Sequence, residues 1–497
     1  MPIPAAARVG VALLLSLATA SLATASLAVG QSPALTSADS ALVGRVLLAE
    51  DAHRADDAAL TEGLQHRDPR VRQLAARAQA RIGDPAFAGR DSLPMAQPLP
   101  APPAYADPAW RLRLRGLTAQ RANCAALAGA LRDESWPVRL RAADLLAEPC
   151  AATPTVIATL QQWVDALPRN ASRRQTGDVS WHGAAHAIVA LARVAPDESR
   201  ARMRRLATHS AAPLRAYVVR AAAQLGDTAQ LLALVADADG NVRADAVDAL
   251  GRLTGRANDS LYAALVSRDT SPQVVRAAAG ALTGTTRTDL QRIAGEAYDQ
   301  RWKHHNVDSE RDVRQALLKA AGRNPAEELE RRHARDLAPA TLARAIALAL
   351  GADVRVRVTM DGANGGGTFL VRLRGDVAPL MGARIAELVA AGYYDGLTWH
   401  RVEHDFVIQG GSPSANEYDG WHTFLRDELG TVSHLRGTVG MSTRGHDTGD
   451  AQWFVNLRDN QRLDRDYTVF AEIIDGIDVV DGVLEGDRIT RMRLEGR

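Results

Sequence analysis

Aromatic side chains are scarce in this chain: phenylalanine, tyrosine and tryptophan make up only 4% of its 497 residues. Alanine and leucine dominate long stretches instead, which suits helices packed on helices through small side chains and argues against one large all-β protein. Net charge is missing too. Lysine plus arginine number 59 against 58 aspartates and glutamates, a formal net charge of +1, so no global field draws the chain to nucleic acid or to an anionic membrane surface, and no nucleic-acid partner is expected. Cysteine is limited to Cys124 and Cys150, with no C-x-x-C motif to do redox chemistry. G-x-S-x-G, H-E-x-x-H and Walker-type sequences are absent, which leaves no nucleophile elbow, zinc-protease helix or phosphate loop. At this length one hydrophobic core rarely serves the whole chain, and two or more domains are expected.

A clear apolar run lies at the start. Arg8 supplies a positive region, Val9 to Leu17 is almost wholly apolar, and Ala18-Thr19-Ala20 and Ala23-Thr24-Ala25 offer small-residue cleavage sites. Residues 1–30 therefore read as a secretory signal, the alternative being an uncut anchor. No cysteine follows the run to take a lipid. Beyond it no segment is long enough to span a bilayer, which places the mature protein in a periplasmic or extracellular space. There the two cysteines meet an oxidising environment. If Cys124 begins one helix and Cys150 ends the next, an antiparallel hairpin brings them together for a disulfide. The alternative is two unpaired small core residues.

From residue 31 to 350 one phrase recurs: a polar turn, a Val-Arg or Leu-Arg pair, then an alanine-rich amphipathic run. The pairs are Val71-Arg72, Val138-Arg139, Leu214-Arg215, Val242-Arg243, Val275-Arg276 and Val313-Arg314. Asp68 before Pro69 and Ser271 before Pro272 put a capping side chain ahead of a proline whose missing N–H costs nothing at a helix start. Val242, Ala246, Leu250 and Leu253 then share one helical face. A single hairpin cannot cover such a face, but a stack can, which predicts an α-solenoid. The pattern resembles HEAT repeats, and the resemblance implies a surface for a protein partner. The recurring arginines read as side chains lying along the stack and pairing with acids of neighbouring repeats. Residues 93–108, rich in proline, read as an extended loop.

After about residue 350 the periodicity changes. Val354, Val356 and Val358, then Phe369, Val371 and Leu373, alternate with polar residues across a glycine-rich turn, as in a β-hairpin. A helix from about Pro379 to Ala391 follows, and then short strands at Thr438 to Met441, Trp453 to Leu457 and Thr468 to Ile474. Many short strands and few helices over residues 351–497 predict a closed antiparallel β-barrel with flanking helices, so that the whole chain is a multidomain α plus β protein.

Within this part, Tyr394-Asp395-Gly396-Leu397-Thr398-Trp399-His400-Arg401-Val402 is followed by Phe406-Val407-Ile408-Gln409-Gly410-Gly411. Gly440-Met441-Ser442-Thr443, Gln452-Trp453-Phe454-Val455, Leu463-Asp464 and Tyr467-Thr468-Val469-Phe470 come after it in order. Together these blocks resemble the cyclophilin-type peptidyl-prolyl isomerases. The resemblance implies that Arg401 is the catalytic guanidinium, that Phe406, Val407, Phe454 and Leu463 wall the pocket for the proline ring, and that Gln409 and Gln452 hold the peptide backbone. Ser442 and Thr443 fall where the family offers backbone groups, and Tyr467 stands where many members have histidine. Val407 replaces a usual methionine and Arg462 a usual aromatic, which puts efficiency and substrate preference in question.

The chemistry is accessible to such a set. Rotation about an X-Pro bond is slow because it breaks amide resonance, a barrier of about 18–20 kcal/mol. A pocket that grips the ring and a permanently charged donor aimed at the twisted amide can lower it, and a rate gain of about 10⁵ asks for about 7 kcal/mol. No cofactor or metal is required. His400, His404, His422, His434 and His446 lack ligand spacing and read as structural or surface histidines. The expected partner is a proline-containing polypeptide, the expected role folding of exported proteins. The competing expectation is a scaffold that docks proline segments with little or no catalysis.

Overall fold

Several helices in the first two-thirds start at a capping side chain or a proline supplied by the sequence. Asp239 accepts from the backbone N–H of Asn241 and Val242 at 2.8 and 3.2 Å and so opens the helix Gly240–Thr254, while proline in the first turn opens Pro154–Asp165, Pro196–Leu206 and Pro272–Leu282. The computed structural model describes residues 35–83, 101–146, 150, 153–168, 180–304, 307–326, 328, 338–362, 366–421 and 423–496. The expected signal segment 1–30, residues 93–100 of the proline-rich loop and His422 lie outside them.

One row of helices forms the backbone of the helical region. Trp136–Leu145, Trp181–Val194, Ala212–Gln224, Gly240–Thr254, Pro272–Leu282 and Arg311–Ala320 each pack on the next, with partner helices such as Thr228–Leu234 and Asp259–Arg268 alongside. Their buried faces form one continuous apolar core from Leu114 to Ala320. Two of the recurring arginines tie successive repeats of the row together. Arg215 makes two 2.7 Å bonds to Asp237, in the turn before the next helix, and Arg243 reaches Asp269 one step further on at 2.9 and 3.0 Å. Each such pair contributes on the order of 1 kcal/mol or less, so apolar burial carries the stack and the arginines set its register. Cys124 and Cys150 are joined in a disulfide, with Cα atoms 4.9 Å apart.

The last third is an eight-stranded antiparallel sheet: β1 (Val354–Asp361), β2 (Gly367–Leu373), β3 (Trp399–Val402), β4 (Val407–Gly410), β5 (Thr438–Met441), β6 (Trp453–Asn456), β7 (Val469–Asp475) and β8 (Arg488–Gly496). The order is β3-β4-β6-β5-β7-β2-β1-β8. The expected closed barrel is corrected here to a curved sheet whose ends are not joined by a ladder. The end strands meet at the bridge Thr398 to Arg488 and through backbone bonds of Gly396, Leu397 and Trp399 with Gly486, Asp487 and Ile489, but most of these residues precede β3 and β8, so the contact is local and no continuous ladder forms. The helix Pro379–Ala390 packs against β7 and β8.

The apolar cores do not divide at residue 350. Helices Ser37–Asp51, Ala58–Leu64 and Pro69–Gly83, with Pro339–Ala349, bury their faces in the same core as the sheet. Glu50 binds Arg77 and Arg81 inside that contact, and Arg81 also donates to the Val377 carbonyl at 2.8 Å. Residues 101–108 run as a strap over the sheet, where the Tyr105 hydroxyl donates to the Ile473 carbonyl and the Ala106 carbonyl accepts from Arg436. At the strap's end the fully buried Arg111 donates to Asp481 at 2.7 Å and to the His404 carbonyl at 3.0 Å. The helical row thus lies directly against the β3 edge.

Candidate functional site

Pairing register puts the candidate residues in a line. Arg401 on β3 is opposite Gln409 on β4, Gln409 opposite Phe454 on β6, and Phe454 opposite Gly440 on β5. Directly paired residues project from the same face of a sheet, so one transverse row carries a cation, an amide, an aromatic ring and a gap. The intervening Ile408, Val455 and Val439 point the other way, into the main core. Gly440 is required by its neighbour: a Cβ there would meet Cε2 and Cε1 of Phe454 at 2.7 and 2.9 Å.

Around Phe454 lies an apolar cluster separate from the main core. Val407, Phe454 and Leu463 are buried in it, with Phe406 and Tyr467 partly exposed at its edge. Tyr467 meets Phe454 edge-on at 5.8 Å, and Leu463 is carried in by the short helical turn Gln461–Leu463. Beside the cluster runs a polar line. The Gln409 amide donates to the Ser442 hydroxyl at 2.9 Å and to Gln452 Oε1 at 3.2 Å, while Gln452 donates to the carbonyls of Asn416 and Asp419. Thr443 follows Ser442, half-buried. The Arg401 guanidinium donates to Gln409 Oε1 at 3.3 Å and to Glu417 Oε1 at 3.2 Å. It keeps 39% of its side-chain surface exposed, so it is held in place yet open to a ligand. The structure therefore brings together nine of the ten residues named from the sequence, with Thr443 next to Ser442 in the chain.

Several neighbours were not anticipated. His434, read as one more scattered histidine, is buried and stacks on Phe454 at 5.9 Å. Asp464 binds its Nδ1 at 3.0 Å and accepts from its backbone N–H at 2.8 Å, while burial lowers its pKa. The ring is thus a neutral wall behind the phenylalanine. Arg462 lies over the Phe406 ring at 4.3 Å, so the replaced aromatic is compensated by a cation–π contact at the rim. Glu417 is supplied by the loop after β4, and nothing local in the sequence marked it as the partner of Arg401. Of the other histidines, His400 and His404 have buried ring nitrogens without partners among the described residues, and the exposed His446 faces Asp427 at 3.1 Å.

An apolar pocket of ring-sized walls, a fixed cation beside it and a line of amides can hold a peptidyl-proline by its ring and its backbone at once. Known proteins point the same way. The family model for cyclophilin type peptidyl-prolyl cis-trans isomerases matches residues 355–493. The peptidyl-prolyl cis-trans isomerase B of Bacillus subtilis is 32% identical over 123 residues, which are 24% of this chain and 86% of that protein. A peptidyl-prolyl cis-trans isomerase of Synechococcus elongatus is 33% identical over 130 residues, covering 26% of this chain and 90% of that one. The peptidyl-prolyl cis-trans isomerase-like 2 of Gibberella zeae is 34% identical over 119 residues, but the match spans only 21% of its length and 23% of this chain.

Proposed function

The chain belongs to the cyclophilin-type peptidyl-prolyl cis-trans isomerase family through residues 355–493, and on that premise we propose that it catalyses rotation about X-Pro bonds in polypeptides. The observation that carries this reading is the register-fixed row of Arg401, Gln409 and Phe454 beside the Val407–Leu463 pocket. The pocket holds the proline ring. Gln409, Gln452 and the backbone at Ser442 and Thr443 hold the preceding residue, so that the prolyl nitrogen comes under the Arg401 guanidinium. As the amide twists, conjugation is lost and the nitrogen lone pair localises. A donor there stabilises the twisted state more than the planar one, and such differential binding accelerates rotation. Arginine suits the task because it stays protonated throughout.

Residues 1–30 act as an export signal in this reading, so the protein works on exported clients in a periplasmic or extracellular space, with the helical row as a HEAT-like solenoid for a protein partner. The disulfide supports that setting. No helix among the described residues is long and apolar enough to cross a membrane. A second reading, a proline-segment scaffold of weak activity, draws on the Arg401–Glu417 ion pair, which competes for the guanidinium.

A protease-coupled isomerisation assay on the full chain separates the two. The full chain is required because the sheet shares its core with helices from residues 37–83 and 339–349. Arg401→Ala should lower kcat/KM by about 10²–10³, the loss seen when one transition-state donor is removed, with little change in the affinity for a proline peptide. Equal and slow rates for both proteins would leave only the scaffold.

A further inference from the structure

The helical row and the β3 edge enclose a second concavity next to Arg401. It is a cleft of about 1440 Å³, larger than the roughly 300–1,000 Å³ of a small-molecule pocket, and long enough for a run of polypeptide. One wall is the helices carrying Ala216, Asn241, Asp245 and Arg276; the other is β3 with the loop after β4. The walls are stapled together at that loop. Asn241 donates to the Ser414 carbonyl at 2.7 Å and accepts from Asn416 at 3.0 Å, and Arg276 covers the Tyr418 ring at 4.2 Å. Glu417, the Arg401 partner, therefore belongs to both concavities.

Two features of this cleft are unexplained by the sheet or the helices alone. Among the described residues seven carboxylates and four guanidiniums line it, and Asp245, Asp361 and Glu403 make no hydrogen bond or ion pair with any of them. Burial pushes the Asp245 carboxyl up to about 6, with Asp248 and Glu485 adding to the shift and the nearby Arg220 and Arg252 guanidiniums only partly offsetting it. Independently, His400 on the cleft wall has both ring nitrogens buried and unpartnered among the described residues. Burial lowers its pKa to about 4, which keeps the ring neutral. A neutral imidazole offers one donor and one acceptor, the complement of a peptide carbonyl and N–H. Such a buried polar group calls for a partner.

We propose that this cleft is an extended substrate subsite: it takes the polypeptide flanking the prolyl bond, pairing its backbone with His400 and its lysine or arginine side chains with Asp245, Asp361 and Glu403. The proposal rests on the isomerase reading for the position of the proline but not for the binding itself. The helical row then has a role on the substrate, because half of the subsite is built from it.

Fluorescence anisotropy on the full chain tests this with two labelled long peptides, each with one X-Pro bond, one carrying lysines beside it and one with glutamines in their place. The lysine peptide should bind about fivefold more tightly at low salt. The isosteric double variant Asp245→Asn, Glu403→Gln should reduce that preference to about twofold or less, and Ala216→Trp, which fills the cleft, should weaken both long peptides. Equal affinity of the wild type for the two peptides, or a preference unchanged in the double variant, overturns the proposal. Isomerisation of a minimal proline peptide is scored separately. Turnover without charge preference defeats the subsite alone, and preference without turnover defeats the catalytic reading alone.

Discussion

The sharpest test of the site is a single methyl group. In Gly440→Ala the new Cβ would sit 2.7 and 2.9 Å from Cε2 and Cε1 of Phe454, whereas ordinary contact begins near 3.4 Å. Cζ of the ring would lie closer still, so the ring must retreat by slightly more than an ångström. It has little room behind, because His434 stacks on it at 5.9 Å and Tyr467 meets its edge at 5.8 Å. Relief comes by tilting into the space that Val407 and Leu463 leave for a proline ring. Overpacking of this kind costs about 1–3 kcal/mol of stability, and displacing a substrate-positioning group by about 1 Å costs up to about 10²-fold in rate. The expected result is a folded variant with a modestly lowered urea midpoint and kcat/KM for a minimal proline peptide down by about 10- to 100-fold. Gly116→Ala, where a Cβ meets nothing within 4 Å on a helix, is the matched control and should be neutral or slightly stabilising. Undiminished kcat/KM in Gly440→Ala would refute the assignment of the Phe454 ring to the substrate pocket.

Other parts of the molecule make their own predictions. Removing the Cys124–Cys150 bond, which closes a separation of 26 residues, should cost about 3–4 kcal/mol in the helical row; a Cys124→Ser, Cys150→Ser chain with an unchanged urea midpoint would contradict this. Arg111→Met strands the buried contacts to Asp481 and the His404 carbonyl, although Arg436 still pairs Asp481 at 2.7 Å, and a loss of about 3 kcal/mol is expected by chemical denaturation. Acid should weaken the fold. Burial lowers His182 to about 4 and His404 to about 3 from 6.5, so the unfolded chain binds protons that the folded chain refuses, and stability present above pH 6.5 is lost as pH falls toward 4. His182 alone contributes about 3 kcal/mol to that loss. Glu428, pushed up to about 7 chiefly by burial, acts in the opposite sense between about pH 4.5 and 7. Urea midpoints at pH 7.5, 5.5 and 4.5 for wild type and His182→Asn measure the slope, which should be shallower in the variant.

Much of this architecture could be read along the chain because its causes are local. Alternation at Val354, Val356 and Val358 marked a strand, and β1 spans Val354–Asp361 with Val356 and Val358 buried. The helix expected from Pro379 to Ala391 runs Pro379–Ala390. Pro69 and Pro272 marked helix starts, although the Ser271 side chain accepts from Arg243 instead of capping its helix, and of the recurring arginines Arg215 and Arg243 reach acids of the following repeat while Arg72 and Arg139 bond backbone carbonyls. The ten site residues could be named because their blocks resemble those of the cyclophilin family, and Arg401, Val407, Gln409 and Phe454 among them fall on strands.

Local pattern says that a face is buried without saying against what. The disulfide was one of two open alternatives until the hairpin geometry closed it. The curved sheet did not close as a ladder because the contact between its ends falls mostly on residues just before β3 and β8, from Gly396 to Trp399 and from Gly486 to Ile489. His434 became a wall of the pocket through Asp464, thirty residues away, and Asn241 reached Ser414 across 173. The helices before residue 84 joined the sheet's core, and the row after residue 109 came to lie on the β3 edge beside Arg401. Residue types and their spacing determined the elements and the chemistry each could offer. Only tertiary packing decided which elements share a core, and it placed a cleft of helical residues next to a guanidinium carried by the sheet.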